Sequence, residues 1–205
     1  ELKFHSSKPC NAETPVDQIH ENPITPNDLW YIRNHNPVPI IKPEEYKLQF
    51  LFDKDIIKNF KLEDLKKMRS KKVITTIQCG GNRRGEFEKT SGTQWDIGAI
   101  STAEWEGVPL CEILNGYKAE HIHFEGYDGV KSSIPFRKGS NCFGDVIIAY
   151  KMNGEELPPD HGFPVRIIVP GYVGIKNIKW LKKITLAEEE VDGPWQKGMA
   201  YKILP

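Results

Sequence analysis

An α+β domain with a mixed β-sheet, short helices and an irregular N-terminal arm follows from three observations on the sequence. Short β-branched and aromatic runs alternate with segments of helical spacing, without the long regular period of repeated βαβ units. Glycines and prolines punctuate the runs, as they do between strands. Seven of the fifteen prolines fall within the first 43 residues, so regular structure there cannot extend far. At 205 residues the chain can bury one sizeable core, and it divides on this reading into an arm at 1–28 and a body at 29–205.

The elements follow in order. Leu29-Trp30-Tyr31-Ile32 is an apolar cluster that must be buried, and Arg33-Asn34-His35-Asn36 follows at once, so the arm wraps back and pins a polar loop onto the body. Tyr46 to Phe52 alternates as a strand, and Leu62, Leu65 and Met68 share one face of a short charged helix. Val73 to Gln78 is rich in Val, Ile and Thr and reads as a half-buried strand. Val108 to Leu114 reads as another short helix. His121 to Glu125, Val146 to Tyr150, Val165 to Val169 and Ile178 to Leu186 read as strands, and Asn153-Gly154 marks a hairpin turn with Tyr150 and Leu157 near its two ends.

Charge and composition narrow the function classes. Lys plus Arg and Asp plus Glu are both 28, so no global field attracts nucleic acid or an anionic membrane surface. No apolar run approaches the ~20 residues that span a bilayer, so a soluble chain is expected. The four cysteines, at 10, 79, 111 and 142, lack C-x-x-C spacing, which argues against a zinc ribbon and a disulfide framework. Neither G-x-G-x-x-G nor a Walker sequence occurs.

The most informative stretch is Val73-Ile74-Thr75-Thr76-Ile77-Gln78-Cys79-Gly80-Gly81-Asn82-Arg83-Arg84, which carries a thiol from a strand end into a glycine turn and two arginines. Neighbouring guanidiniums favour a thiolate and grip oxyanions with planar forks. The pieces suit a soft-metal ligand or a nucleophile with His161 as its base; the plainer alternative is a buried thiol beside surface ion pairs. His121, His123 and Glu125 share a strand face; with no nearby Cys or third His, a solvated face is the plainer reading than a zinc site. Pro158-Pro159-Asp160-His161-Gly162-Phe163-Pro164-Val165-Arg166 is a stiff loop that presents an acid and an imidazole and then an arginine in an apolar strand. Arg33, His35, Arg84, His161, Arg166 and Lys179 together suit a phosphate and a second oxyanion. Asp128, in a turn, suits either the N–H groups of a heterocycle or the turn itself.

Gln78-Cys79-Gly80-Gly81-Asn82-Arg83-Arg84, Trp95-Asp96-Ile97-Gly98-Ala99-Ile100-Ser101-Thr102-Ala103 and Asp160-His161-Gly162-Phe163-Pro164-Val165-Arg166 closely resemble the molybdenum domain of eukaryotic sulfite oxidases, and Arg33-Asn34-His35 and Lys179-Trp180-Leu181 fit the same pattern in the same order. The resemblance runs from about Leu29 to the C-terminus. It implies a sulfite-oxidase-type fold holding molybdenum-molybdopterin, with Cys79 as the protein ligand of the metal. It places the cofactor on Tyr31, Ile32, Arg33, Asn34, His35, Asp128, His161, Arg166, Asn177, Ile178 and Lys179, and the substrate pocket on Arg33, Arg84, Trp95 and Tyr150. The implied reaction is oxidation of sulfite to sulfate by oxygen-atom transfer, with electrons passing to a haem protein such as cytochrome c or b5, or to oxygen.

Gly80 stands where these enzymes commonly have alanine. Related animal enzymes add a haem domain and a C-terminal dimerisation domain that supplies another pocket arginine; neither is expected within these residues, so a dimer is expected only if such a domain is supplied. By resemblance the compartment is the mitochondrial intermembrane space or the peroxisome. Assimilatory nitrate reductases share Asn-Arg-Arg and Asp-His-Gly-Phe-Pro-Val-Arg, and methionine-sulfoxide reductases of this fold are a further alternative from which Arg83-Arg84 points away. Outside redox chemistry, a cysteine-nucleophile enzyme or an anion-binding module remains.

Overall fold

A computed structural model describes residues 1–197, so the last eight positions of the expected body lie outside the described residues. The strands in chain order are β1 (Lys3–Ser7), β2 (Cys10–Glu13), β3 (Ile32–Arg33), β4 (Lys47–Phe52), β5 (Asp55–Lys61), β6 (Lys71–Gln78) and β7 (Ile100–Pro109). They continue with β8 (His121–Gly126), β9 (Lys131–Pro135), β10 (Ile147–Met152), β11 (Glu155–Glu156), β12 (Arg166–Ile168) and β13 (Leu181–Ala187). Short helices α1 (Val16–Glu21), α2 (Leu62–Lys67), α3 (Leu110–Ile113) and α4 (Phe136–Ser140) connect them.

Two five-stranded sheets form the body. One runs β5-β4-β13-β8-β9 and is mixed, because β13 pairs with β4 in parallel and every other pair in it is antiparallel. The other runs β11-β10-β7-β6, with β12 on the same edge of β10 as β11. Asn153 and Gly154 both take positive φ in the two-residue turn from β10 to β11, as the Asn-Gly pair demands. The α+β class, with its mixed sheet and short helices, is what the sequence pattern predicts.

Within the β6-β7-β10 sheet, β10 is buried on both faces, while one face of β6 is exposed. Alternation sends Val108 and Ile148 into a core shared with Leu48, Phe124 and Ile184 of the other sheet. The opposite face carries Ile77, Trp105, Ile147 and Ala149, and it is covered by Trp30 and Tyr31. Trp105 is fully buried; a side chain of that kind removes about 150–250 Å² from water, an upper estimate of roughly 4–6 kcal/mol. Cys79 belongs to this second cluster, so the strand that carries it is anchored on a packed floor.

The arm is more regular than its prolines suggest. β1, β2 and β3 make an antiparallel three-stranded sheet, with Asn11 opposite Arg33 and Ala12 opposite Ile32, so pairing runs across position 28. The prolines do keep each piece short. The β1 sequence Lys3-Phe4-His5-Ser6-Ser7 has no apolar alternation of its own, and pairing with β2 across a short hairpin makes it a strand.

Two boundaries also shift. β7 continues through Pro109, and the helix expected from Val108 begins only at Leu110. The strand expected from Ile178 starts at Leu181, because Trp180 adopts φ 50, a left-handed conformation that ends extended backbone. Such a bulky residue there costs on the order of 1–3 kcal/mol. Its indole Nε1–H donates to Pro159 O at 2.9 Å and its carbonyl accepts from Tyr127 N at 2.8 Å, which hold it in place.

Cys111 and Cys142 form a disulfide, contrary to the expectation from cysteine spacing. Their separation of 31 residues carries no local signal, but α4 packs on α3 and brings the Cα atoms to 5.3 Å. A loop of this length contributes about 3–4 kcal/mol on chain-entropy grounds. Reduction, or Cys142→Ser, is therefore expected to lower the thermal midpoint by several degrees, read by melting with and without reductant.

Candidate active site

β6 ends at Gln78, and Cys79 is fixed by its own N–H donating to Ala99 O at 2.9 Å. The chain then turns so that Gly81 N–H donates to Cys79 Sγ at 3.4 Å. Cys79 and Gly80 line a cavity of about 670 Å³, open mouth included. Its other walls come from the arm loop (Trp30, Tyr31, Arg33, His35), the β8–β9 turn (Asp128, Val130), the loop before β12 (His161), β12 (Arg166) and residues 174–180.

The cavity is electrostatically incomplete. Arg33, Arg166 and Lys179 line it, while Asp128 is the one lining carboxylate among the described residues. Arg166 is buried at 5% exposure; it donates from Nη1 to His161 O at 2.8 Å and from Nη2 to Asn177 O at 3.0 Å, and its Nε finds no partner. Loss of hydration lowers its pKa to about 10. Lys179 is half-buried as a residue, but its ammonium is turned inward, donating to Asp160 O at 2.7 Å and to Asn34 Oδ1. Desolvation first, and then Arg166, lower its pKa to about 7. Desolvation also pushes Asp128 upward and holds His35 and His161 at about 3, helped by the neighbouring cations. Both imidazoles are therefore neutral near pH 7.

Backbone geometry brings these groups together. Gly162 has φ 110, and a side chain there would meet Arg166 and Lys179 at 3.0–3.2 Å, so only glycine lets the loop cross between them. Asn177 holds β12 in register through Val169 N–H donating to its Oδ1 at 2.7 Å. Asn11, which no motif signalled, accepts Asn34 N–H at 3.0 Å and Arg33 Nη1 at 3.1 Å.

The expected site residues divide into three sets. Tyr31, Arg33, His35, Cys79, Asp128, His161, Arg166, Asn177, Ile178 and Lys179 all line the cavity. Ile32 and Asn34 support it from behind: Ile32 pairs with Ala12, and Asn34, at 1% exposure, bridges Lys179 and Asp160. Arg84, Trp95 and Tyr150 are not among the residues that line the cavity. The Arg84 guanidinium lies against Gly81 and donates to Thr93 O at 2.9 Å, and Trp95 is fully buried in the Cys79 cluster.

Tyr150 sits at a bulge in β10, is 5% exposed and packs in the core that also holds Ile148, Val130, Ile175 and Ile178, the last three of which line the cavity. The cysteine-nucleophile alternative fits poorly. His161 Nε2 is engaged with Asn27 O at 3.1 Å, and a pKa of about 3 makes a weak base at neutral pH. His123 pairs with Glu189 O and Glu125 with Lys131 and Lys183, and among the described residues no three His, Cys, Asp or Glu side chains converge as a metal cluster.

A cavity with one thiol, three cations, two neutral imidazoles and one carboxylate asks for an anionic occupant that brings its own metal donors. Molybdopterin, with its phosphate, dithiolene and amino-pyrimidine edge, fits that donor set, and the unpartnered Arg166 Nε is an observation in its favour.

Comparison with known proteins agrees. Over 96% of its length the chain is 44% identical to the mitochondrial sulfite oxidase of Drosophila melanogaster and 40% identical to the sulfite oxidase of Gallus gallus, spanning 37% and 47% of those proteins. It is 35% identical over 93% of its length to a nitrate reductase of Betula pendula, spanning 24% of it. The crystal structure of the sulfane dehydrogenase SoxCD from Paracoccus pantotrophus superimposes with a TM-score of 0.83 at 27% identity, over 94% of this chain and 50% of that one. The family described as oxidoreductase molybdopterin binding domain matches residues 35–195, well over half of the chain. The protein therefore belongs to the molybdopterin-binding oxidoreductase domains of the sulfite oxidase family, with the molybdenum cofactor that this membership implies.

Proposed function

We propose that the domain oxidises sulfite to sulfate at a molybdenum-molybdopterin centre and passes the electrons to an external acceptor. The observation that carries this reading is the meeting of Cys79 with Arg33, Arg166 and Lys179 in a cavity lined by one carboxylate. When bound, the cofactor supplies oxygen-atom transfer to the sulfur lone pair and takes up two electrons.

The chain's own residues bind and orient. Cys79 Sγ would hold the metal, with Gly81 N–H supporting its charge. Arg166 and Lys179 would neutralise the phosphate, and Asp128 would accept from the amino-pyrimidine edge. Arg33 would hold the sulfite oxygens; its Nη1 is fixed on Asn11 Oδ1 and on Asn34 O at 2.6 Å, which directs the guanidinium. Arg84, packed against Gly81 two residues beyond Cys79, would add the second positive charge.

Gly81→Ala probes that arrangement, because the new methyl would overlap the Arg84 guanidinium, a movable side-chain end. The variant is expected to fold and keep its metal, while the KM for sulfite rises by about 10-fold as Arg84 is displaced. Steady-state kinetics with metal content as the control read this directly.

The likeness to the Betula nitrate reductase supports a second substrate reading. Turnover of cofactor-replete protein with sulfite and with nitrate separates the two, and a preference for nitrate would overturn the sulfite assignment. A haem protein such as cytochrome c or b5, or oxygen, completes the proposed cycle as acceptor. The relatives named mitochondrial and the Cys111–Cys142 disulfide favour an oxidising compartment such as the intermembrane space. No helix among the described residues is long and apolar enough to cross a membrane.

A further inference from the structure

The arm contributes a buried acid to the arginine loop. Glu13, at the end of β2, is only 2% exposed. Its Oε1 meets Lys3 Nζ at 3.1 Å and His5 Nε2 at 3.4 Å, and its Oε2 accepts Asp96 N–H at 2.9 Å. Asp96 O in turn accepts Arg83 N–H at 2.7 Å, and Trp95 O accepts Gly85 N–H at 2.9 Å. The residue between those two anchored amides is Arg84. His5 also packs edge-on against the Trp95 ring at 5.0 Å, and Thr14 N–H donates to Gly98 O at 3.0 Å, so the end of β2 grips segment 95–98 at both ends.

We infer that Glu13 is a positioning residue for Arg84, acting through segment 95–96, and that the arm thereby sets the affinity of the site for its oxyanion substrate. This rests on the sulfite reading above. Charge alone would not require burial, since Lys3 is exposed and a surface pair would serve it equally. A buried acceptor aimed at a backbone N–H instead fixes the loop geometry, and a displacement of about 1 Å there costs binding without touching the chemistry.

The test uses Glu13→Ala and Glu13→Gln in cofactor-replete protein, with amide hydrogen exchange beside kinetics. Glu13→Ala is expected to raise the KM for sulfite about 10-fold with kcat within about twofold and metal content unchanged. The Arg83, Gly85 and Asp96 amides should exchange faster. Glu13→Gln keeps an oxygen for Asp96 N–H and should restore both KM and protection. An unchanged KM in Glu13→Ala, a raised KM without lost protection, a parallel loss of kcat and metal, or a Gln variant as impaired as the Ala variant would each overturn the inference. A wild-type protein with no sulfite turnover would instead overturn the proposed function, and the exchange measurements would then test the route by themselves.

Discussion

Cys79→Ser is expected to lower sulfite turnover by more than about 100-fold, beyond the range that outer-shell changes around a metal cost. Serine is nearly isosteric and the position is 7% exposed within a packed cluster, so the fold should persist. What changes is the donor: a hydroxyl is hard and poorly ionised, whereas a high-valent soft-ligand site calls for thiolate sulfur. Turnover, molybdenum content and a thermal melt on the same preparation check this. A serine variant that keeps more than a tenth of wild-type turnover would remove Cys79 from the role of ligand.

The second large effect concerns Lys179 and pH. In the unfolded chain its ammonium loses a proton near 10.5, but in the folded cavity without an anion it does so near 7. Between those values the unfolded state binds more protons, so the stability of cofactor-free protein rises with pH across that window, and the penalty is full below about pH 7. At ~1.4 kcal/mol per unit the span from 10.5 to about 7 amounts to at most about 5 kcal/mol, and less in practice because the residue keeps some exposure. Lys179→Met should abolish this slope, and so should loading with an anionic cofactor that restores the charge. The same variant should weaken cofactor retention by about 10–100-fold, the value of one charge-assisted hydrogen bond. Urea unfolding of cofactor-free protein at pH 7, 8 and 9 measures the slope; equal slopes in wild type and variant would show that Lys179 carries no buried charge.

How much of this was legible in the sequence depended on whether the signal was local. The Cys79 strand, the Asn153-Gly154 turn and the His161 loop each declare themselves within ten residues, and the first and last of these bring Cys79 and His161 to the cavity. The hairpin of the arm was hidden because β1 lacks apolar alternation and owes its state to β2, which is itself paired with β3 some twenty positions on. The Cys111–Cys142 bond depended on two short helices meeting, which spacing cannot report. Glu13 gave no sign at all: in the sequence it is one acid among 28 Asp and Glu, and only its burial under Lys3 and His5 sets it apart.

The central claim is that this cavity holds molybdenum-molybdopterin on Cys79 for use on sulfite. Elemental and pterin analysis of protein produced in a cofactor-competent host, coupled to a sulfite-dependent ferricyanide assay, tests it most directly. The expected result is about one molybdenum and one pterin per chain, with ferricyanide reduced only when sulfite is added. A folded chain that retains neither group under those conditions, or one whose activity is indifferent to sulfite, would contradict it.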